Sequence, residues 1–264
     1  MTEKIHRSDI YGDLKNRNEK EASPLIPAST VILLRDGART DDSSVSQSGE
    51  DIEVLMLQKN QNISFGGMWV FPGGRIDDED YDGEGREAAD QMKAALTAAV
   101  RETVEETALS VDAEDFVYFA HWTPPPATPK RFSTWFFAAE ADNTKTASHH
   151  IEVDGEEILN HRWIRPREAL ALHADGKIDL APPTWLTLYH IDKYPQVDLA
   201  LDRFRKTEEK IYKTHVAKDK AGVRVAMWHG DAGYESWDPD VAGERHRLVM
   251  RENGFVFENT AEEY

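Results

Sequence analysis

Cysteine is missing from this 264-residue chain. That excludes disulfides, thiolate metal sites and cysteine nucleophiles together. Long apolar runs are missing too: nothing approaches the roughly 18 consecutive apolar residues of a membrane-spanning helix. The first 25 residues lack an apolar signal stretch. These absences lead us to expect a cytoplasmic protein with no membrane partner. Positive charge is scarce, with 31 Lys+Arg against 49 Asp+Glu and a formal net charge of −18. A field of that sign opposes capture of DNA or RNA, so no nucleic-acid partner is expected. It leaves room for a small polyanionic substrate if a bound cation and local Arg or Lys reverse it. Internal repeats and low-complexity tracts are also lacking.

What is present is enough for a sizeable core, since 40% of residues are hydrophobic and 9% aromatic. Residues 1–25 are mostly polar and read as a flexible N-terminal arm. Thr30–Leu34 and Ile52–Leu57 read as strands, joined by a Gly-, Ser- and Asp-rich stretch, 36–51, expected to be an exposed hairpin tip. Met68–Phe71 reads as a short strand stopped by Pro72 and two glycines. A helix is expected from about Glu87 to Thr107, where apolar residues recur at three- and four-residue steps. Strands follow near Phe116–His121, Phe132–Ala139 and up to Ile164. Pro166 opens a helix through about Ala174, and APPTW starts another. From residue 195 the chain reads as an extension, with a helix over Leu199–Tyr212 and a meander of three strands. Strands interleaved with helices point to an α/β or α+β layered domain.

Chemistry concentrates at the end of the first long helix. Glu102, Glu105 and Glu106 stand at i, i+3 and i+4, neighbouring positions on a helix. Carboxylates so close repel one another and call for a cation. Hard oxygen donors of this kind suit Mg²⁺ or Mn²⁺. A solvated acidic face is the plainer alternative, but only Arg101 stands nearby to offset the charge.

FPGG at 71–74 followed by RETVEETAL at 101–109 resembles the Nudix box, G-x5-E-x7-R-E-U-x-E-E-x-G-U. The resemblance implies an α/β/α sandwich around a mixed sheet at 26–194, with 195–264 a small C-terminal α+β extension. It implies a hydrolase in which Arg101 positions a glutamate and Glu105 and Glu106 hold the metal. Glu102 is a further ligand or general base, and the Gly73 carbonyl faces the ion. The box departs from its pattern in three ways. There are 26 residues between Gly74 and Arg101 where the pattern has 13. Its first glutamate has no fixed counterpart, Lys93 and Asp80 being the two ways of counting. Ala108 stands where the pattern has glycine, at a cost on the order of 1 kcal/mol if the backbone there is left-handed.

The insertion and the segments 123–137 and 163–184 are similar to a branch that includes peroxisomal coenzyme A diphosphatases. That likeness makes coenzyme A or an acyl derivative the best single guess among nucleoside diphosphate derivatives. An NDP-sugar or dinucleotide hydrolase and a ligand-binding regulator without turnover are the alternatives. Glu157, six residues before Trp163, is the expected further acidic ligand. Arg131, Arg75 and Trp69 make the substrate-binding set, with Trp122 and Trp135 as other rings able to face a base. The histidines show no ligand spacing, and His149–His150 reads as surface. The meander is open to two roles, covering the active site or building a homodimer interface.

Overall fold

The computed structural model describes residues 6–37, 51–62, 64–83, 88–141, 151 and 155–264, with backbone alone for 88–90. Residues 38–50 of the expected hairpin tip, and His149–His150, lie outside the described residues.

β1 (Leu25–Asp36) and β2 (Ile52–Lys59) form the middle of the main sheet with β6 (Arg131–Glu140). β1 runs parallel to β6 and antiparallel to β2. β5 (Val117–Thr123) lies antiparallel to β6, β3 (Trp69–Val70) and β7 (Ile158–Ile164) flank β2, and β4 (Gly73–Arg75) pairs with β1. The sheet is therefore mixed, and the period-2 alternation of its strands divides two cores. Val31, Leu33, Leu55 and Leu57 point to one face. Ile32, Leu34, Val54 and Met56 point to the other. A strand buried on both sides reads as an unbroken apolar run, which is what TVILL and IEVLML are.

α1 (Ala88–Thr107) covers the first face with Ala94, Ala95, Ala98 and Ala99, each at most 1% exposed. α2 (Pro166–Ala174), α3 (Pro182–Ile191) and α4 (Val197–Lys206) lie over the second, where Ala169, Leu186, Leu188 and Leu201 join the core. Both α2 and α3 start on proline, whose missing N–H costs nothing in a first turn. Helices on both faces of a mixed sheet make the α/β/α sandwich that the sequence led us to expect.

Several expectations need correction. The helix expected over Leu199–Tyr212 stops at Lys206, and β8 (Lys210–Lys213) follows, parallel to β5 at the edge of the main sheet. KIYK alternates at period 2, exposing Ile211 and burying Tyr212, and that pattern overrides the helical start. β8 leads into a four-stranded sheet of β9 (His215–Lys218), β10 (Arg224–Met227), β11 (His246–Arg251) and β12 (Gly254–Asn259), one strand more than the expected meander. Residues 195–264 also share the main core: Tyr212 stacks on Trp122 at 3.9 Å between ring centres, and Trp228 meets Trp122 edge-on.

The N-terminal arm, in its described part, is docked. Tyr11 is 1% exposed, Arg7 donates to the carbonyls of His173, Gly176 and Ile178, and Asp9 pairs with Arg224 at 3.0 Å. Its polar residues find buried partners far along the chain, which a local reading of composition does not reveal. Finally, Gly73–Arg75 is strand, because a Cβ on Gly73 would stand 2.3 Å from the Ser29 carbonyl. Only glycine lets the two backbones approach so closely.

Candidate active site

The carboxylates stand at the C-terminal end of α1, where the helix dipole disfavours negative charge and the last turn holds no basic residue. Something else must hold them. Glu106 is buried, and its Oε2 accepts the Gly73 amide at 2.8 Å. Its Oε1 meets the Lys59 ammonium at 3.2 Å. Burial pushes the Glu106 carboxyl up to about 7 against the pull of Lys59 and the Gly73 amide, with Glu102 adding repulsion. Glu102 turns the same way, toward Gly74. A Cβ on Gly74 would lie 2.3–2.7 Å from its carboxylate atoms, so the missing side chain makes the space that Glu102 fills. Burial raises the Glu102 pKa, opposed by Arg101.

Arg101 organises this end. Its Nη1 donates to Glu102 at 2.7 Å and to Glu105 at 3.1 Å, and its Nη2 reaches the Arg75 carbonyl at 3.0 Å. A fork onto Asp80, 2.8 and 3.1 Å long, fixes the guanidinium plane and, with Glu102, raises its pKa. Asp80 is 4% exposed and also accepts the Asp77 amide. Of the two countings, Asp80 thus sits where an acid can hold the arginine. Lys93 lies away from it, paired with Asp82.

The structure does not gather every expected residue. Glu105 is exposed, touching Arg101 rather than the glycine turn. Glu157 reaches the cluster through Lys59, its Oε1 2.6 Å from the ammonium. Arg75 is exposed on the cleft wall. Trp69 packs against the second core and does not line the cleft. Arg131 is 2% exposed and consumed by Glu19 and the carbonyls of Ser23 and Pro124, so it ties down the N-terminal segment. Trp135 stacks on His121 at 4.3 Å, whereas Trp122 does line the cleft.

Lys59 went unnoticed in the sequence. The signal was there: it follows Leu55 and Leu57 at period 2, so the strand aims it inward at α1. Burial works against its ammonium, yet Glu106 and Glu157 outweigh that and raise its pKa.

The cleft encloses about 840 Å³. Lys59, Gly73, Gly74 and Glu102 line one part of it, and Phe71, Trp122, Phe132 and Phe136 another. A divalent cation fits the donor chemistry of the polar part: hard oxygens, one carboxylate anchored by an amide, another in a cradle a Cβ would fill. Among the described residues no three acidic or histidine side chains converge on one point; Glu102 and Glu105 touch Arg101, and Glu106 and Glu157 touch Lys59.

A glutamate-bearing helix end seated on a glycine turn, over a mixed sheet covered on both faces, defines a hydrolase of Nudix type. A family model described as the NUDIX domain matches residues 43–184, more than half of the chain, and the chain belongs to that family. It is, as a family member, a hydrolase of pyrophosphate bonds. Among solved structures it is similar to a NUDIX hydrolase from Alicyclobacillus acidocaldarius, with 21% identity, 71% of this chain and 98% of that one covered, and a TM-score of 0.55. It is also similar to a C. elegans Ap4A hydrolase in a binary complex, with 21% identity, 62% and 93% covered, and a TM-score of 0.41. The NUDIX domain of Shewanella oneidensis NrtR, complexed with ADP ribose, gives 18% identity, 68% and 94% covered, and a TM-score of 0.41. No curated protein matches. Among the described residues no helix is long and apolar enough to cross a membrane.

Proposed function

We propose that the chain hydrolyses the diphosphate linkage of a nucleoside diphosphate derivative, with Glu106 and Glu102 as the principal cation holders. The observation that carries this reading is the fit of both glutamates to the FPGG turn, Glu106 on the Gly73 amide and Glu102 in the gap beside Gly74. Water attacks one phosphorus, the bridging oxygen leaves with the other phosphate, and the water proton passes to a base. A divalent cation, Mg²⁺ or Mn²⁺, would neutralise phosphate oxygens and acidify water.

The remaining work belongs to the side chains. Arg101 keeps Glu102 at the cleft, where that carboxylate either holds the cation or takes the proton from water. Glu157 would complete the holders from the loop before β7, and Glu105 joins them only by leaving Arg101. Arg75 is the exposed cation placed to meet phosphate at the cleft wall. The aromatic part of the cleft accommodates the group beyond the diphosphate, with Trp122 as the ring supported there.

Coenzyme A or an acyl derivative is our specific substrate, on the likeness of segments 123–137 and 163–184 to that branch. A panel of coenzyme A, its acyl esters, an NDP-sugar and a dinucleotide, each with Mg²⁺ and with Mn²⁺, tests it. Cleavage of the coenzyme A compounds foremost is expected. Inert coenzyme A beside a hydrolysed dinucleotide or NDP-sugar would move the assignment, and no turnover with tight binding would indicate a regulator. Glu105→Gln in the same panel is expected to lower turnover by about tenfold, since its carboxylate stands off the turn.

A further inference from the structure

Lys59 occupies a position that neither the family resemblance nor the proposed chemistry uses. Its ammonium bridges two carboxylates from separate elements, Glu106 at the end of α1 and Glu157 before β7, at 3.2 and 2.6 Å. Joining acids from different elements is the task a bridging cation performs. The Lys59 side chain is 10% exposed, yet the residue lines the cleft, so the position it fills opens onto the substrate space. Lysine suits an occupant that leaves. It is a compact point charge on a flexible stem, unlike the planar fork of Arg101, which is fixed by Asp80 and the Arg75 carbonyl.

We propose that Lys59 is a built-in stand-in for the divalent cation: its ammonium holds Glu106 and Glu157 in the ion-free enzyme and exchanges with the ion on binding. The inference rests on the cation site proposed above. The ammonium neutralises the buried Glu106 and keeps Glu157 near it without metal. Binding of the ion then releases a positive charge into the cleft wall rather than leaving the ammonium beside the ion. The cost is competition, since every ion bound must first displace Lys59.

Direct Mn²⁺ titration, by electron paramagnetic resonance of the free ion, reads this without turnover. Lys59→Met removes the competitor, and Mn²⁺ is expected to bind about tenfold tighter. Lys59→Arg keeps the charge and adds a bidentate grip on carboxylate, so Mn²⁺ is expected to bind at least about threefold weaker. Circular dichroism melts establish that each variant is folded. Should Lys59→Met fail to fold, the arginine variant decides alone. Unchanged or weaker binding in folded Lys59→Met, or unchanged or tighter binding in Lys59→Arg, overturns the exchange. Glu106→Gln separates the two ideas. If it abolishes Mn²⁺ binding while both Lys59 variants match the wild type, the cation site stands and the stand-in falls. If Mn²⁺ binds none of the proteins, both fall.

Discussion

Two cation–carboxylate clusters in this molecule are built to opposite ends. In the C-terminal sheet, Arg247 grips Asp231 with two bonds of 2.6 Å, while Asp231 also accepts the His246 and Gly233 amides and Arg247 reaches the Pro239 carbonyl. The side chains are 5% and 0% exposed, and burial of Asp231 is outweighed by these partners, leaving its pKa lowered. That cluster is saturated and sealed. At the end of α1, Glu102, Glu105, Glu106 and Glu157 share Arg101 and Lys59 beside an open cleft, and Glu106 is pushed up to about 7. Acids from separate elements gathered around two shared cations beside a cavity mark a ligand site. Burial of charge alone does not.

The sealed pair should give the largest response. Arg247→Met strands Asp231 without its partner and is expected to cost about 3–5 kcal/mol in urea denaturation, with turnover per folded molecule unchanged. A cost below about 1 kcal/mol would erase the contrast between the clusters. Next come the glycines of the turn. Gly74→Ala places a Cβ against the flexible carboxylate of Glu102, so kcat/KM should fall about 100-fold, near 2.7 kcal/mol, with little change in melting temperature. Gly73→Ala instead meets the Ser29 carbonyl at 2.3 Å with φ at +150°, and should cost stability first. Melting curves beside kinetics distinguish the two, and identical responses would contradict the roles given to these positions.

A smaller effect concerns pH. Burial, then the nearby His6 and Arg7, lower the His173 pKa to about 3 from 6.5. The unfolded chain therefore binds the extra proton first, and stability present above pH 6.5 is lost as pH falls toward 3. At pH 5 the loss from this residue is on the order of 2 kcal/mol. His173→Gln should flatten the fall in stability between pH 7 and 5, and an unchanged slope would remove His173 as its cause. Least of all, Ala108→Gly should stabilise the fold by about 0.5–1 kcal/mol in denaturant titration, since Ala108 ends α1 at φ +58°. A destabilised variant would mean that the left-handed turn is not strained.

Much of this was legible beforehand, and the rest was hidden for physical reasons. The main strands and α1 announced themselves because one side of each is buried and the apolar period shows it. Motif and spacing single out Glu102 and Glu106, and the fold sets both beside the glycine turn. That Glu105 turns away follows from one residue of helix, about 100° of rotation, which separates it from Glu106. Arg131 reads as a substrate-binding residue in the sequence because its partner Glu19 is distant there and only the fold brings them together. The docking of residues 6–25 was hidden likewise, since the partners of Arg7 and Asp9 lie near residues 176 and 224. Lys59 was missed because a lone cation at the end of an apolar strand looks like a solvated terminus. Asp80 is one of two countings in the sequence, and its fork with Arg101 needs the fold to bring residues 80 and 101 together.

The most direct test is the kcat/KM of Glu106→Gln on a diphosphate substrate with Mg²⁺, beside its melting curve. We expect a loss of at least about 1,000-fold, near 4 kcal/mol, in a protein that still folds with a lowered melting temperature, since Lys59 loses one of its two carboxylate partners. Turnover within about tenfold of the wild type, in a folded Glu106→Gln protein, would contradict the account.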